Sequence, residues 1–278
     1  MKKFALTTAV LSLAAGLFLG TPAASAADSA IPQTIKFGFA PGPYRGIVEK
    51  FVEPQLKEQG YKIEYVDFTD WVTPDSALES GDVDANLFQH STYLANIVKD
   101  QGLHLTPVVG VPTLGIGVFS VKHKTLDELP EGATILIPTD AVNLARALRI
   151  AQEVGLIKLN NTSETSEIKA SIGDITENPR KLDFVPVDAA QITRSLDSAD
   201  AGFVPGNFAE AAKLDYSKAL AVESVQQNII NVIAVREGDK DTIGKLLKDA
   251  VQSDYFRQHL NADHYYDSFT RPQWWSEK

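Results

Sequence analysis

The sequence predicts an α/β protein with parallel sheets, and three observations carry that prediction. Short apolar or alternating runs of strand length recur between stretches whose apolar residues repeat at helical spacing. The junctions between them hold turn and cap residues, such as Pro41-Gly42-Pro43 and Thr73-Pro74-Asp75. The chain has 278 residues, 44% of them apolar and 22% charged, which is enough to bury a sizeable core. Strands alternating with helices imply sheets covered by crossover helices. Roughly 250 residues beyond the leader could close as one barrel or as two lobes.

Taken in order, residues 35–39 alternate and read as a strand. Ile47, Val48, Phe51, Val52 and Leu56 repeat at helical spacing up to Gly60, with a kink expected at Pro54. Residues 61–68 read as the second strand. Thr73 is the expected N-cap of a helix that Gly81 stops. Val83, Ala85 and Leu87 make a short strand, followed by a helix over residues 91–101. Residues 114–121 and 134–137 are expected strands, and residues 141–154 a helix ending at Gly155. Residues 182–187 form a strand, and Asp188 to Gln191 have the pattern of a capping box. Residues 201–204 and 229–235 are further strands, and residues 241–258 a late helix. Residues 160–171 are polar, lack a period and are expected to be a surface insertion.

The start of the chain is an address. Lys2 and Lys3 precede an uncharged apolar run over residues 4–20, and Ala24-Ser25-Ala26 supplies an A-x-A cleavage site. This is the layout of a secretory signal peptide over residues 1–26. The run is short for a membrane span of roughly 20 residues. A bacterial lipoprotein would carry a cysteine just after Leu19-Gly20, where Thr21 stands; the chain has no cysteine at all. The mature protein is therefore expected to be soluble and extracytoplasmic. Loss of Lys2 and Lys3, and of no acidic residue, takes its net charge from −10 to −12.

That charge argues against nucleic-acid binding, which needs clustered Lys and Arg. No H-E-x-x-H, G-x-S-x-G, G-x-x-x-x-G-K or G-x-G-x-x-G motif is present. The five histidines, at 90, 104, 123, 259 and 264, have no metal-ligand spacing. Asp82 to Asn86 begin like a calcium loop, but Leu87 occupies the glycine position and Tyr93 that of the bidentate glutamate. No metal and no cofactor are expected.

In open α/β sheets a ligand lies beyond the strand C-termini, where helices begin. Three clusters sit at such junctions. Trp71, Phe88, His90 and Tyr93 stand near two strand ends, where the rings either wall a cavity or pack as core. Arg146 stands in the second turn of a helix that follows the strand ending near Pro138. It either clamps an anion there or is a surface arginine like Arg149. Asn207 and Asn231 lie at or within apolar strands and need partners for their amides, from the core or from a ligand.

The stretch from Phe68 to His90, with its core Gly81-Asp-x-Asp-Ala-Asn-x-Phe-Gln-His90, resembles the NlpA-type extracytoplasmic binding proteins, among them methionine-binding components of ABC importers. Pro41-Gly42-Pro43, residues 125–129, Asn143 to Arg146, residues 154–159, 177–179 and 190–194 match as well, so the likeness covers nearly the whole mature chain. The resemblance implies two lobes, each a mainly parallel sheet flanked by helices, closing on an amino acid: residues 27–118 with 229–278, and residues 119–228. It implies that Trp71, Phe88 and Tyr93, with His90, line the side-chain pocket, that Arg146 takes the ligand carboxylate and that Asn231 binds the amino-acid backbone. It implies delivery to a membrane permease by a monomer that catalyses nothing. An uncoupled sensor or an enzyme on the same scaffold are the competing classes. Four departures stand out: the missing lipobox cysteine, Trp71 at a position the family often fills with tyrosine, residues 114–117 in place of a proline-containing turn, and Pro205 where the family carries a polar asparagine. Asn207 lies two residues on, in a different register. The expected ligand is methionine or a related apolar amino acid or derivative, and Pro205 predicts a ligand choice altered from that of the family's ordinary methionine binders.

Overall fold

Two five-stranded sheets organise the chain in the computed structural model, which describes residues 31–160 and 170–276. The expected leader and residues 161–169 of the expected insertion lie outside the described residues.

Strand β1 (Thr34–Phe39) leads into helix α1 (Tyr44–Ile47), a π-helical segment Val48–Val52, and α2 (Glu53–Glu58). Pro54 falls in the first turn of α2, so the expected kink is instead a π segment that ends where the proline's missing donor costs nothing. Strand β2 (Lys62–Asp67) and α3 (Thr73–Ser80) follow, and Gly81, at φ +85, stops α3. Thr73 is not the cap. Asp70 Oδ1 accepts from the N–H groups of Val72 and Thr73, at 2.7 Å each, because a carboxylate three residues upstream reaches both orphan donors. Strand β3 (Ala85–His90) runs straight into α4 (Ser91–Gln101).

Strand β4 (Leu105–Gly110) was not expected, since Pro107 interrupts its pattern. It sits at a sheet edge, where a residue without N–H is tolerated. The expected strand over residues 114–121 is only β5 (Gly117–Phe119). Then come β6 (Thr134–Pro138), α5 (Ala141–Glu153), and a two-stranded ribbon of β7 (Lys158–Leu159) and β8 (Ile175–Glu177). Strand β9 (Asp183–Val187), α6 (Ala189–Ser195), β10 (Ala201–Val204), α7 (Gly206–Ala211) and β11 (Ala221–Val222) complete the second sheet region. Asp188 caps α6 by accepting from Ala190 N–H, without the return bond from Gln191 that a capping box requires.

The chain returns through β12 (Asn231–Arg236) and a second π segment, Lys240–Gly244. The single late helix expected is two, α8 (Lys245–Val251) and α9 (Asp254–Ala262), because the Ser253 hydroxyl caps α9 by accepting from Phe256 N–H.

The first sheet has the order β2-β1-β3-β12-β4 and the second β11-β5-β10-β6-β9. In each, four strands point one way and one is reversed: β12 in the first and β5 in the second. The architecture is α/β and two-lobed, with helices on both sheet faces. Ile35, Phe37, Leu87, Ile233, Leu247 and Phe256 belong to one core, and Val118, Ile135, Leu148 and Phe203 to another. All of these residues are buried, and the parallel strands carry the continuous apolar runs that two-sided burial demands.

Candidate functional site

The C-terminal ends of β1, β3, β6 and β10 face one small cavity between the two sheets, the place where open α/β sheets put their ligands. Trp71, Phe88, His90, Tyr93, Arg146, Asn207 and Asn231 all line it. Two glycines let the backbones meet there. Gly42 has φ +138, and a Cβ on it would stand 2.6 Å from the Asn207 Cβ. A Cβ on Gly206 would stand 2.3 Å from the Leu114 carbonyl oxygen.

One wall is aromatic. Phe88 and Tyr93 are buried together with Ala40, and Trp71 packs on them. The Trp71 ring stacks on Phe208 of α7 at 4.6 Å and 28°, bridging the two sheet regions, and meets Tyr93 edge-on at 6.1 Å. Its indole Nε1 is buried without a protein partner. His90 caps α4: its Nδ1 accepts from Tyr93 N–H at 3.1 Å, so the proton sits on Nε2, which donates to Asn143 Oδ1 at 3.2 Å. Burial first, and then the Arg146 charge, hold the His90 pKa well below its ordinary value, against the pull of the Asn143 bond. His90 is therefore neutral at pH 7.

The opposite wall is polar and begins at α5. Asp140 caps that helix by accepting from Asn143 N–H at 2.9 Å, and its second oxygen accepts from Asn143 Nδ2 at 3.1 Å. This leaves Asn143 Oδ1 as the acceptor for both His90 and Arg146 Nη1, the latter at 2.6 Å. Burial raises the Asp140 carboxyl, partly offset by its bonds to Asn143. Arg146 is 6% exposed and held in a two-bond fork by Glu223, with Nε to Oε1 at 3.0 Å and Nη2 to Oε2 at 2.5 Å. The surface reading of this arginine is overturned, because a carboxylate 77 residues away in sequence neutralises it.

Asn231 pairs with His90 across β12 and β3. Its Nδ2 donates to Phe88 O at 3.1 Å, and its backbone N–H donates to the Thr113 hydroxyl at 2.8 Å. Asn207 Nδ2 donates to Pro41 O at 3.0 Å, a second bond between the two sheet regions. Pro205 is the N-cap of α7 and lines the cavity with only its ring and carbonyl. Behind Gln89 lies Asp75, 1% exposed, whose Oδ1 accepts from Asn86 at 2.9 Å and Gln89 at 2.5 Å. Among the described residues Asp75 has no cation partner. Desolvation pushes its pKa up to about 6, with the two amide bonds acting the other way.

The cavity also takes in Tyr44, Thr113 and Asn143, which sequence reasoning did not single out. Asn143 was findable as the residue three beyond the Asp140 cap. Glu223, outside the expected strands, carried no local signal. Among the described residues no cluster of His, Asp or Glu could hold a metal ion, and no helix is long and apolar enough to cross a membrane.

A family model described as NlpA lipoprotein matches residues 35–274. The D-methionine-binding lipoprotein MetQ of Escherichia coli (strain K12) is 35% identical over 238 residues, 84% of this chain and 87% of that protein. The structure of a nutrient binding protein from Burkholderia cenocepacia bound to methionine superposes with a TM-score of 0.79 at 37% identity, covering 85% of this chain and 99% of that one. A putative methionine-binding lipoprotein of Bacillus subtilis gives a TM-score of 0.79 at 30% identity, over 86% and 98%.

Proposed function

The chain belongs to the NlpA lipoprotein family, and on that premise we propose that it is the extracytoplasmic substrate-binding protein of an ABC importer, taking methionine or a related apolar amino acid or derivative. The observation that carries this reading is the joint placement of an aromatic wall and a charged arginine on one cavity at the strand ends. Trp71, Phe88 and Tyr93 offer ring faces and edges to an apolar or thioether side chain. Arg146 has N–H donors left for an α-carboxylate, and Asn231 lines the same cavity. Pro205 supplies no amide where the family carries asparagine, so one polar ligand group meets a different partner. His90 has both ring nitrogens bonded, which favours recognition over acid–base chemistry.

In this reading the mature protein starts near Ala27, carries no lipid, acts as a monomer and hands its ligand to an inner-membrane permease. The lobes run over residues 27–118 with 229–278, and over 119–228. Calorimetric titration with both enantiomers of methionine, other apolar amino acids, methionine derivatives and short peptides tests the assignment. Native mass spectrometry of the purified protein identifies any ligand carried through. Saturable binding of an amino acid or derivative is expected. Binding of none of them, with a co-purified ligand of another class, overturns it.

A further inference from the structure

We infer that Glu223 is the positioning residue of the carboxylate clamp: it grips the Arg146 guanidinium by one edge and leaves the edge of the two terminal nitrogens to the ligand. The inference rests on the amino-acid-binding reading above. A guanidinium has five N–H donors in a fixed plane. Glu223 takes the N–H of Nε and one of Nη2 as two parallel bonds, and Asn143 Oδ1 takes one of Nη1. One N–H remains on each terminal nitrogen, a spacing that matches the two oxygens of a second carboxylate.

Arg146 lines the cavity, whereas Glu223 stands behind it, and both side chains are only 7% exposed. Glu223 is itself immobilised. Its Oε2 also accepts from Ile116 N–H at 2.8 Å, and its own N–H donates to Ile116 O at 2.9 Å, which ties the clamp to the segment entering β5. With Glu223 paired to Arg146, the guanidinium's charge is already balanced, and the ligand carboxylate is the second anion on it rather than the first.

Glu223→Gln separates positioning from mere support. Its amide oxygen keeps the position that accepts from Arg146 Nη2 and the Ile116 N–H, but its NH2 then faces the Arg146 Nε–H, donor against donor, so the fork opens and the guanidinium pivots. The readout is the affinity for methionine against that for methioninol of the same hand, which lacks the carboxylate. The preference for methionine is expected to fall about tenfold, with methioninol binding changed by no more than about twofold. A second readout needs neither ligand nor variant: the Arg146 Nε–H resonance, assigned by its loss in Arg146→Lys, should exchange slowly with water in the ligand-free wild type. Equal weakening of both probes, no weakening of either, or a fast-exchanging Nε–H overturns the inference. A wild type that binds neither probe overturns the amino-acid reading instead, and the Nε–H resonance then decides the role of Glu223 alone.

Discussion

The two walls of the cavity are built of different material. Trp71, Phe88 and Tyr93 make one wall from ring packing, and its titratable ring, His90, is held neutral. Asp140, Asn143, Arg146 and Glu223 make the other from a chain of hydrogen bonds in which each group orients the next. Apolar packing degrades gradually, since each lost contact is small. A buried polar chain behaves as a unit, since removing one member strands its neighbour without solvent. The aromatic wall should therefore tolerate change in ligand shape, and the polar wall should tolerate almost none in its own members.

The largest expected effect is on the polar wall. Arg146→Ala removes the charge partner proposed for the ligand carboxylate, an expected loss of about 2–5 kcal/mol or roughly 30-fold or more in affinity. It also strands the buried Glu223 carboxylate, which costs a further 3–5 kcal/mol or so of folding stability. Titration and thermal unfolding measure the two. Arg149→Ala, outside the cavity wall, is the control and should keep its affinity. Native affinity in Arg146→Ala would place the carboxylate site elsewhere.

A smaller effect is expected beneath the aromatic wall. Asp75 has a folded pKa of about 6, above its ordinary 3.8. The unfolded chain thus releases this proton at lower pH than the folded one. The stability contribution is full below about pH 4 and falls as pH rises to about 6, by up to about 3 kcal/mol. Asp75→Asn keeps an acceptor for Asn86 and Gln89 without the buried charge. It should be the more stable protein at pH 7, and its stability should vary less between pH 4 and 6. Urea unfolding across that range decides this, and a variant less stable at pH 7 would mean that the carboxylate has a partner.

The smallest effect is expected at the contact between the walls. Phe208→Ala removes the ring stacked on Trp71, about 0.5–1.5 kcal/mol beyond the area it buries. Without ligand the two sheet regions should then separate more readily. Small-angle scattering should show a larger radius of gyration for the variant than for wild type, and saturating ligand should return it toward the wild-type value. An unchanged radius would show that the His90–Asn143 and Asn207–Pro41 bonds hold the closed form without the stack.

Much of this protein was legible from local pattern. Helix Ser91–Gln101 has the expected bounds because apolar spacing, a strand before it and Gly102 after it agree. The aromatic wall could be named because its members sit at junctions of strand and helix, where α/β sheets place ligands. The rest failed for identifiable reasons. β4 was missed because Pro107 breaks the strand pattern, and only its place at a sheet edge excuses the proline. The late helix was read as one piece because Ser253 looks like any polar residue until its hydroxyl meets Phe256 N–H.

The sequence by itself determined the α/β class, most strand and helix positions, and the residue types on the cavity wall, because these follow from periodicity and cap chemistry over a few neighbours. Tertiary structure alone decided what Arg146 does before any ligand arrives. Glu223 lies 77 residues away, at no spacing that helix or strand geometry relates to Arg146, and it reaches the guanidinium only because β5 and β11 pair and carry residues 116 and 223 side by side. A pattern of neighbours specifies which groups are present. Whether a buried charge is free or already paired depends on contacts that form only when distant segments pack.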